Sequence, residues 1–508
     1  MKAKTDWPVF AISGGILVLF VLASLIQADV VADIVDLLFG WSTTYFGAFW
    51  QVLMVAIFAV ALGLMISKYG NIRLGLTDRP ETSNFKWIAM IITTLMAGGG
   101  VFWAAAEPVY HFLETPPMYG DTPPAEEATI FPALAQSFLD WGFLAWAVNG
   151  TLAVVVLMYG QSKGMPLKPR ILLYPIFGEK IMEKSTLGTL VDSFSIVAVA
   201  AGTIGPIGFL GLQVAYMMDE LFGVPNTLVT QLVIVFGLVL IAAISAMTGV
   251  HKGIQFLSRF NIAFAIFLSV LILLIGPGKF IVDNFLGAFG VYVQDFLKLA
   301  FYRGDDGWLS QWTLFFWGWF IGYAPLMAIF ISRISHGRTL RELFLAVLII
   351  SPLVMNFWFT IVGGTGIFHE LQHPGSVSAP LDAGGLPAAI NAIVTQLPGG
   401  FWLATGFLIV AIIFVATTAD TLSYTISITI TGRDNPQKGM RVFWAIIMGA
   451  MASILIMLGE GSIGALQSFI VVTAVPVSLI LLPSLWLAPR VAKIMAREQG
   501  IIKKKTSS

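Results

Sequence analysis

The chain has 508 residues, 57% of them hydrophobic and 11% charged, with a net charge of zero and no cysteine. A soluble domain carries about 45–50% apolar and about 25% charged residues, so this composition, with a mean hydropathy of +0.87, excludes disorder, a collagen-like fibre and an ordinary soluble enzyme. Disulfides and thiolate chemistry are excluded, five histidines leave little for a histidine-built metal site, and a neutral chain has no global field to attract nucleic acid.

A hydrocarbon core of about 30 Å takes about 20 apolar residues of helix. Twelve runs reach that length: 8–26, 43–66, 86–112, 132–159, 190–216, 226–248, 259–277, 311–333, 342–368, 400–430, 438–458 and 464–488. All exceed the length of a barrel strand and none alternates strictly, so the expected class is an all-α polytopic membrane protein. The first run follows Met1-Lys2-Ala3-Lys4 but has no small-residue cleavage site behind it, and is predicted to be retained. Lys and Arg fall in alternate connections (Lys68, Arg73 and Arg79; Lys163 to Lys184; Lys252; Arg333 to Arg341; Arg433 and Lys438) and at both ends of the chain. The opposite connections carry Asp29, Asp33 and Asp36, then Glu114 to Glu127, then Asp219 and Glu220, then Glu460, with only Lys279, Lys298 and Arg303 departing from the rule. The positive-inside rule then predicts cytoplasmic termini. Residues 278–302 mix apolar residues with regular acids and lysines, which predicts an amphipathic helix along the membrane surface. Residues 369–398 read as a loop rich in Pro and Gly, and 501–508 as a short, basic, disordered tail.

Two places inside the membrane are irregular. Ala97-Gly98-Gly99-Gly100 interrupts the third span, and Gly318, Gly322 and Pro325 interrupt the eighth. Broken helices are tolerated in a bilayer where they line a cavity or are buried in protein; close packing through small residues is the alternative reading. Spans 3–7 and 8–12 form two five-helix sets of opposite direction, and matching interruptions in inverted halves point to a midplane site of a secondary transporter. Aromatic residues gather at the same depth. On a continuous helix Trp141, Trp146 and Asn149 share an arc of about 140°, and Trp319, Phe320 and Tyr323 one of about 100°. An interfacial belt explains Trp41, Trp312 and Trp486 but not these deeper rings. A box of rings suits a quaternary ammonium or sulfonium head, each ring offering about 0.5–2 kcal/mol. In the tenth span Thr417 and Thr418 either bond the carbonyls one turn back or contribute to a hard-cation site, and Asp420 is expected to face a polar interior or the cytoplasmic vestibule. No cluster of His, Cys or paired carboxylates is apparent at membrane depth, so no enzyme is expected.

The stretch Phe102-Trp103-Ala104-Ala105-Ala106-Glu107-Pro108 resembles a signature of the betaine/choline/carnitine transporter family. Trp317-Gly318-Trp319-Phe320-Ile321-Gly322-Tyr323-Ala324-Pro325, the run Arg333-Ile334-Ser335-His336-Gly337-Arg338-Thr339, and Thr417-Thr418-Ala419-Asp420 are similar to three others. The resemblance spans all twelve runs. It implies two peripheral helices (1–84) before a LeuT-like five-plus-five inverted repeat (85–277 and 303–489), with the surface helix 278–302 at a homotrimer contact and a short basic tail at 490–508. It places a small zwitterionic substrate among Trp141, Trp146, Asn149, Trp319, Phe320 and Tyr323, with its anionic end on the N–H groups of Gly98, Gly99 and Gly100. It places a coupling sodium ion on the carbonyls of Thr93 and Met96 and the hydroxyls of Thr417 and Thr418. A second family sodium site uses two threonines one turn apart, where this chain has Val199 and Thr203. Choline-carrying relatives tend to have Asp at the position of Gly99, so glycine here favours a zwitterion. No further cofactor is implied. The expectation is a sodium-coupled symporter of a glycine-betaine-type osmolyte in a bacterial inner membrane, against a sodium-independent exchanger or a carrier of ectoine, choline or a sulfonium compound.

Overall fold

The computed structural model describes residues 5–503 except 76, 78, 96–98, 184, 249–250, 433–435 and 462. The fold is 84% helix, and the described residues contain no strand, only an isolated bridge between Arg73 and Thr339. The principal helices are α1 (Trp7–Ile26), α2 (Ala28–Ile66), α3 (Asn84–Leu95), α4 (Val101–Leu113), α5 (Ile130–Trp141), α6 (Phe143–Gly150), α7 (Leu152–Ser162), α8 (Thr186–Phe222), α9 (Leu228–Thr248), α10 (His251–Ile275), α11 (Gly278–Gln294), α12 (Thr313–Ile334), α13 (Ser351–Gln372), α14 (Gly400–Thr431), α15 (Lys438–Leu458), α16 (Gly464–Leu481) and α17 (Ser484–Glu498).

Among the described residues, eleven helical stretches are long and apolar enough to cross a membrane, and the protein is an integral membrane protein of the all-helical class. The expected third span is not among the eleven: it falls on α3 and α4, each too short alone, with 96–98 outside the described residues. Helix α2 begins at Ala28 rather than 43, so Asp29, Asp33 and Asp36 lie on a helix and not in a connection. Asp29 sits in its first turn, where the helix dipole favours an acid. Its 39 residues reach about 58 Å, well beyond a hydrocarbon core of about 30 Å. Helix α8 likewise carries Asp219 and Glu220 in its last turn and stops at Gly223, which takes the left-handed conformation of a helix cap.

The basic connections meet at one end of the bundle. Asp6 holds both Lys168 (3.0 Å) and Arg170 (2.9 Å), and Arg170 also pairs with buried Asp192 (2.6 Å). Arg73 donates to the Gly337 carbonyl, Arg341 to those of Met65 and Ser67, and Arg338 to that of Thr82. The C-terminal helix closes this end. Residues 490–498 are not a loose tail: α17 buries Leu487, Val491, Ala492 and Met495, and Gln499 bonds both backbone groups of Arg73. Residues 504–508 lie outside the described ones.

The predicted surface helix is α11, followed by a short turn of helix at Phe296–Ala300. It packs on α5 and α13 through Ile281, Ala288 and Tyr292, while Leu286 and Val293 stay exposed. Within the bundle, α4 packs on α5 and α13, and α12 packs on α6, α8 and α16. The eighth span, expected to be interrupted at Gly318, Gly322 and Pro325, is instead one continuous helix, α12, and the irregular segment at Gly99 lies against its Trp319.

Candidate functional site

Three backbone irregularities shape this place. Gly99 has φ +120°, a region that side chains rarely adopt, and a Cβ there would stand 2.5 Å from Trp319 Cη2. Gly100 is beside it, and its carbonyl accepts the indole N–H of Trp358 at 3.2 Å. The second irregularity is Pro206 within α8. A proline has no N–H, so the carbonyl four residues back, Gly202 O, loses its helical donor. Trp319 Nε1 supplies the missing bond at 3.0 Å. Gly202 also lets Tyr323 approach closely, since a Cβ at 202 would lie 2.4 Å from that ring.

The third irregularity was not expected. The fourth span is three helices, interrupted at Gly142 (φ −94°, ψ −133°) and Thr151 (φ −120°, ψ −95°). The N–H of Phe143, freed by the first break, donates to the Tyr292 hydroxyl of α11 at 3.2 Å. The shared arc of Trp141, Trp146 and Asn149 presupposed a continuous helix, and the break removes that phase.

Trp141 therefore joins the rings of α12. Its centroid lies 5.8 Å from Trp319, 5.2 Å from Phe320, 5.3 Å from Phe316 and 5.2 Å from Phe359. Trp319 and Phe320 lie nearly parallel, 5.9 Å apart. Trp146 is buried but makes no ring contact among the described residues, and its Nε1 has no partner. Asn149 donates to the Ala145 carbonyl at 2.8 Å, while its Oδ1, also buried, has no partner. Tyr323 reaches the cluster through Gly202 and stands 3.5 Å from the Thr203 hydroxyl. Sequence reasoning missed Phe316 and Phe359. Phe316 stands one helical turn before Phe320 and could have been read from that spacing; Phe359, on α13, carried no signal.

Of the expected sodium ligands, Thr93 lies on α3 and Thr417 and Thr418 on α14. Gly98 and Met96 lie outside the described residues. The Thr93 hydroxyl bonds the Met90 carbonyl at 3.1 Å, and that of Thr417 bonds the Ile413 carbonyl at 2.8 Å, one turn back. The Thr418 hydroxyl is buried without a partner. Thr203 donates to the Val199 carbonyl at 2.6 Å. Asp420 does not face a vestibule: it is buried and pairs with Arg441 of α15 at 2.8 Å, and Arg441 also lies over the Tyr424 ring. Against the sequence reading, a cluster of His and paired carboxylates does exist at membrane depth. Glu107, His111 and Asp140 are all buried, and Glu107 accepts the indole N–H of Trp141 at 2.8 Å.

A helical membrane bundle whose interrupted segments converge on a buried box of rings has the architecture of a secondary transporter. The family model described as "BCCT, betaine/carnitine/choline family transporter" matches residues 8–497, and the chain belongs to that family. It is a transporter and not an enzyme. It is 50% identical over 496 residues to "Glycine betaine transporter 2" of Vibrio parahaemolyticus, covering 97% of this chain and 92% of that one. It is 30% identical to the "Ectoine/hydroxyectoine transporter" of Virgibacillus pantothenticus, covering 95% of each chain, and 30% identical to "Glycine betaine transporter OpuD" of Bacillus subtilis, covering 94% of this chain and 91% of that one.

Proposed function

We propose that this protein is a sodium-coupled symporter that brings a glycine-betaine-type zwitterion into a bacterial cell across the inner membrane, with both termini in the cytoplasm. The observation that carries the reading is the buried cluster of Trp141, Phe316, Trp319, Phe320 and Phe359 beside the Gly99 break. Edge-to-face ring pairs are worth about 0.5–1.5 kcal/mol and cation–ring contacts about 0.5–2 kcal/mol. Admitting a quaternary ammonium head exchanges one set for the other at nearly equal energy, so the cluster can open around a substrate without a large penalty. The half-identical relative named a glycine betaine transporter supports the same substrate class.

Sodium coupling is supported by the orphan hydroxyl of Thr418, whose oxygen is free to take a cation, and by the family resemblance at Thr93, Met96 and Thr417. One such site fits the sequence better than two, because Val199 offers no side-chain oxygen. One sodium ion crossing 100 mV contributes about 2.3 kcal/mol, a gradient of roughly fifty-fold. The bundle is read as a LeuT-like inverted repeat after two peripheral helices, assembled as a homotrimer through the surface helix 278–302. A second reading, transport of ectoine, is favoured by one unpartnered buried acceptor, Asn149 Oδ1, which could accept from a substrate that has N–H groups. The test is uptake of labelled glycine betaine in proteoliposomes, with choline, carnitine, ectoine, proline and sulfonium analogues as competitors, in sodium and in potassium buffers. Betaine should be displaced by few of these and should accumulate only with an inward sodium gradient.

A further inference from the structure

Glu107 and His111 stand one turn apart on α4, hence on one face of it. Asp140, near the end of α5, meets them from the packed neighbour. One ligand atom from each residue lies within 4.8 Å of the others, and His111 Nε2 is 3.6 Å from Glu107 Oε1. All three side chains are fully buried, yet Glu107 Oε1, Asp140 Oδ1 and both nitrogens of His111 have no hydrogen-bond partner. Buried polar atoms are rarely left so, and an orphaned carboxylate is the most costly of them. The remaining oxygens are held: Glu107 Oε2 accepts from Trp141 (2.8 Å), and Asp140 Oδ2 from Gln136 (3.0 Å), which also donates to Thr313. One free oxygen and one anchored oxygen on each carboxylate is how outer hydrogen bonds orient metal ligands. The imidazole is set between Trp308 and Trp312, with ring centroids 5.6 and 4.6 Å away. Among the described residues no Lys or Arg forms an ion pair with either carboxylate.

We propose that Glu107, His111 and Asp140 bind one divalent transition metal ion of the zinc type, clamping α4 to α5 beside the ring cluster. A shared proton would relieve the two carboxyl groups and leave the imidazole unmet. A divalent ion neutralises both carboxylates and takes an imidazole nitrogen as well. One nitrogen and two oxygens are zinc donors at about 2.0–2.2 Å, which in a tetrahedral site puts ligand atoms about 3.3–3.6 Å apart. Glu107 and His111 already stand at that spacing, and Asp140 has only to close in.

The experiment titrates chelator-stripped, purified protein with zinc alone, by calorimetry and by counting metal retained after desalting. The whole chain and a H369Q/H373Q variant are compared, because His369 and His373 are one turn apart near the surface and could trap zinc themselves. Glu370 between them accepts the N–H groups of Gly375, Val377 and Ser378, so that segment is already committed to closing its own turn. Both proteins should retain one ion per chain. His111→Gln and Asp140→Asn should each weaken binding by roughly a hundredfold, and Gln136→Leu, which keeps every ligand, by about 10–100-fold. Cobalt(II) should give the visible bands of nitrogen–oxygen coordination, absent in His111→Gln. If the ligand variants do not fold, Gln136→Leu and the cobalt spectrum decide. Folded wild-type protein that retains no zinc, or binding that survives at position 111 and 140 variants but vanishes in H369Q/H373Q, overturns the proposal. No step of the test involves a transported solute, so its failure leaves the transport reading untouched.

Discussion

Gly99→Ala is the sharpest probe of the site. Two costs can be worked from the structure. At φ +120° a side chain is strained by about 1–3 kcal/mol. Its Cβ would also stand 2.5 Å from Trp319 Cη2, so the indole must move and give up its bond to the Gly202 carbonyl, worth about 0.5–1.5 kcal/mol. The chain either keeps the break and displaces Trp319, or relaxes the break and moves α4. Both remove the arrangement that binds, and the sum of about 1.5–4.5 kcal/mol corresponds to roughly a tenfold to thousandfold loss of affinity. The assay is equilibrium binding of labelled glycine betaine to purified protein whose thermal unfolding shows it to be folded. A double-mutant cycle isolates the contact. Trp319→Phe removes the outer ring that carries Cη2, so Gly99→Ala should cost less in that background, with a coupling of about 1 kcal/mol. Additive effects, or native affinity in Gly99→Ala, would refute the reasoning. The same geometry bears on choline. Gly99→Asp would place a carboxylate able to pair a cation that lacks its own anion, but in this backbone it should abolish binding and not convert it, because the first atom of the side chain already collides.

Three further outcomes follow from the same contacts. Trp319→Ala and Trp141→Ala should each raise the Kd tenfold or more, from about 1–2 kcal/mol per lost ring, whereas Trp146→Ala, outside the ring contacts, should do less; equal effects in a binding assay would return Trp146 to the box. Pro206→Ala restores an N–H that competes for the Gly202 carbonyl, so thermal stability should hold or rise while substrate affinity falls; an unchanged Kd would show that the Trp319 bond does not position the ring. Thr418→Ala should weaken the sodium dependence of uptake far more than Thr418→Ser, and equal uptake from sodium and potassium buffers without an inward sodium gradient would remove symport in favour of exchange.

The spans were legible because runs of about 20 apolar residues have no stable alternative to a membrane helix. The break at Gly99 was legible because three consecutive glycines weaken any helix. The break at Gly142 was not, since an isolated glycine in a helical pattern is usually tolerated. What distinguishes it is tertiary: the Tyr292 hydroxyl, from α11, receives the Phe143 N–H. That single event explains why Trp141 joins the α12 rings and Trp146 does not. The pairing of Asp420 with Arg441 and the meeting of Glu107 with Asp140 were hidden for a related reason. Each joins residues on different helices whose relative rotation no periodicity reports. The early start of α2 was missed because three aspartates resemble a loop, although a helix end projecting beyond the hydrocarbon carries them readily.

The polar edges of these tryptophans bear on which solute the proposed site would take. Trp319 gives its indole N–H to the Gly202 carbonyl, Trp358 to Gly100 and Trp141 to Glu107. Each ring thus secures a backbone or carboxylate group that a bilayer would otherwise leave unsatisfied, and none of these three N–H groups is left for a ligand. The faces of Trp141 and Trp319 remain, and faces suit a fully methylated head that neither donates nor needs a hydrogen bond. A substrate with N–H groups meets the opposite situation. Each donor left unmatched in a buried site costs about 1–3 kcal/mol, or roughly five- to a hundredfold. Among the residues expected to bind the substrate, Asn149 carries an acceptor without a partner, Oδ1. Asn149→Leu should therefore leave glycine betaine binding nearly unchanged and weaken any binding of ectoine or proline by that factor, which competition against labelled betaine would read directly. If Asn149→Leu weakens betaine and ectoine alike, residue 149 shapes the helix after Gly142 and takes no part in choosing the solute.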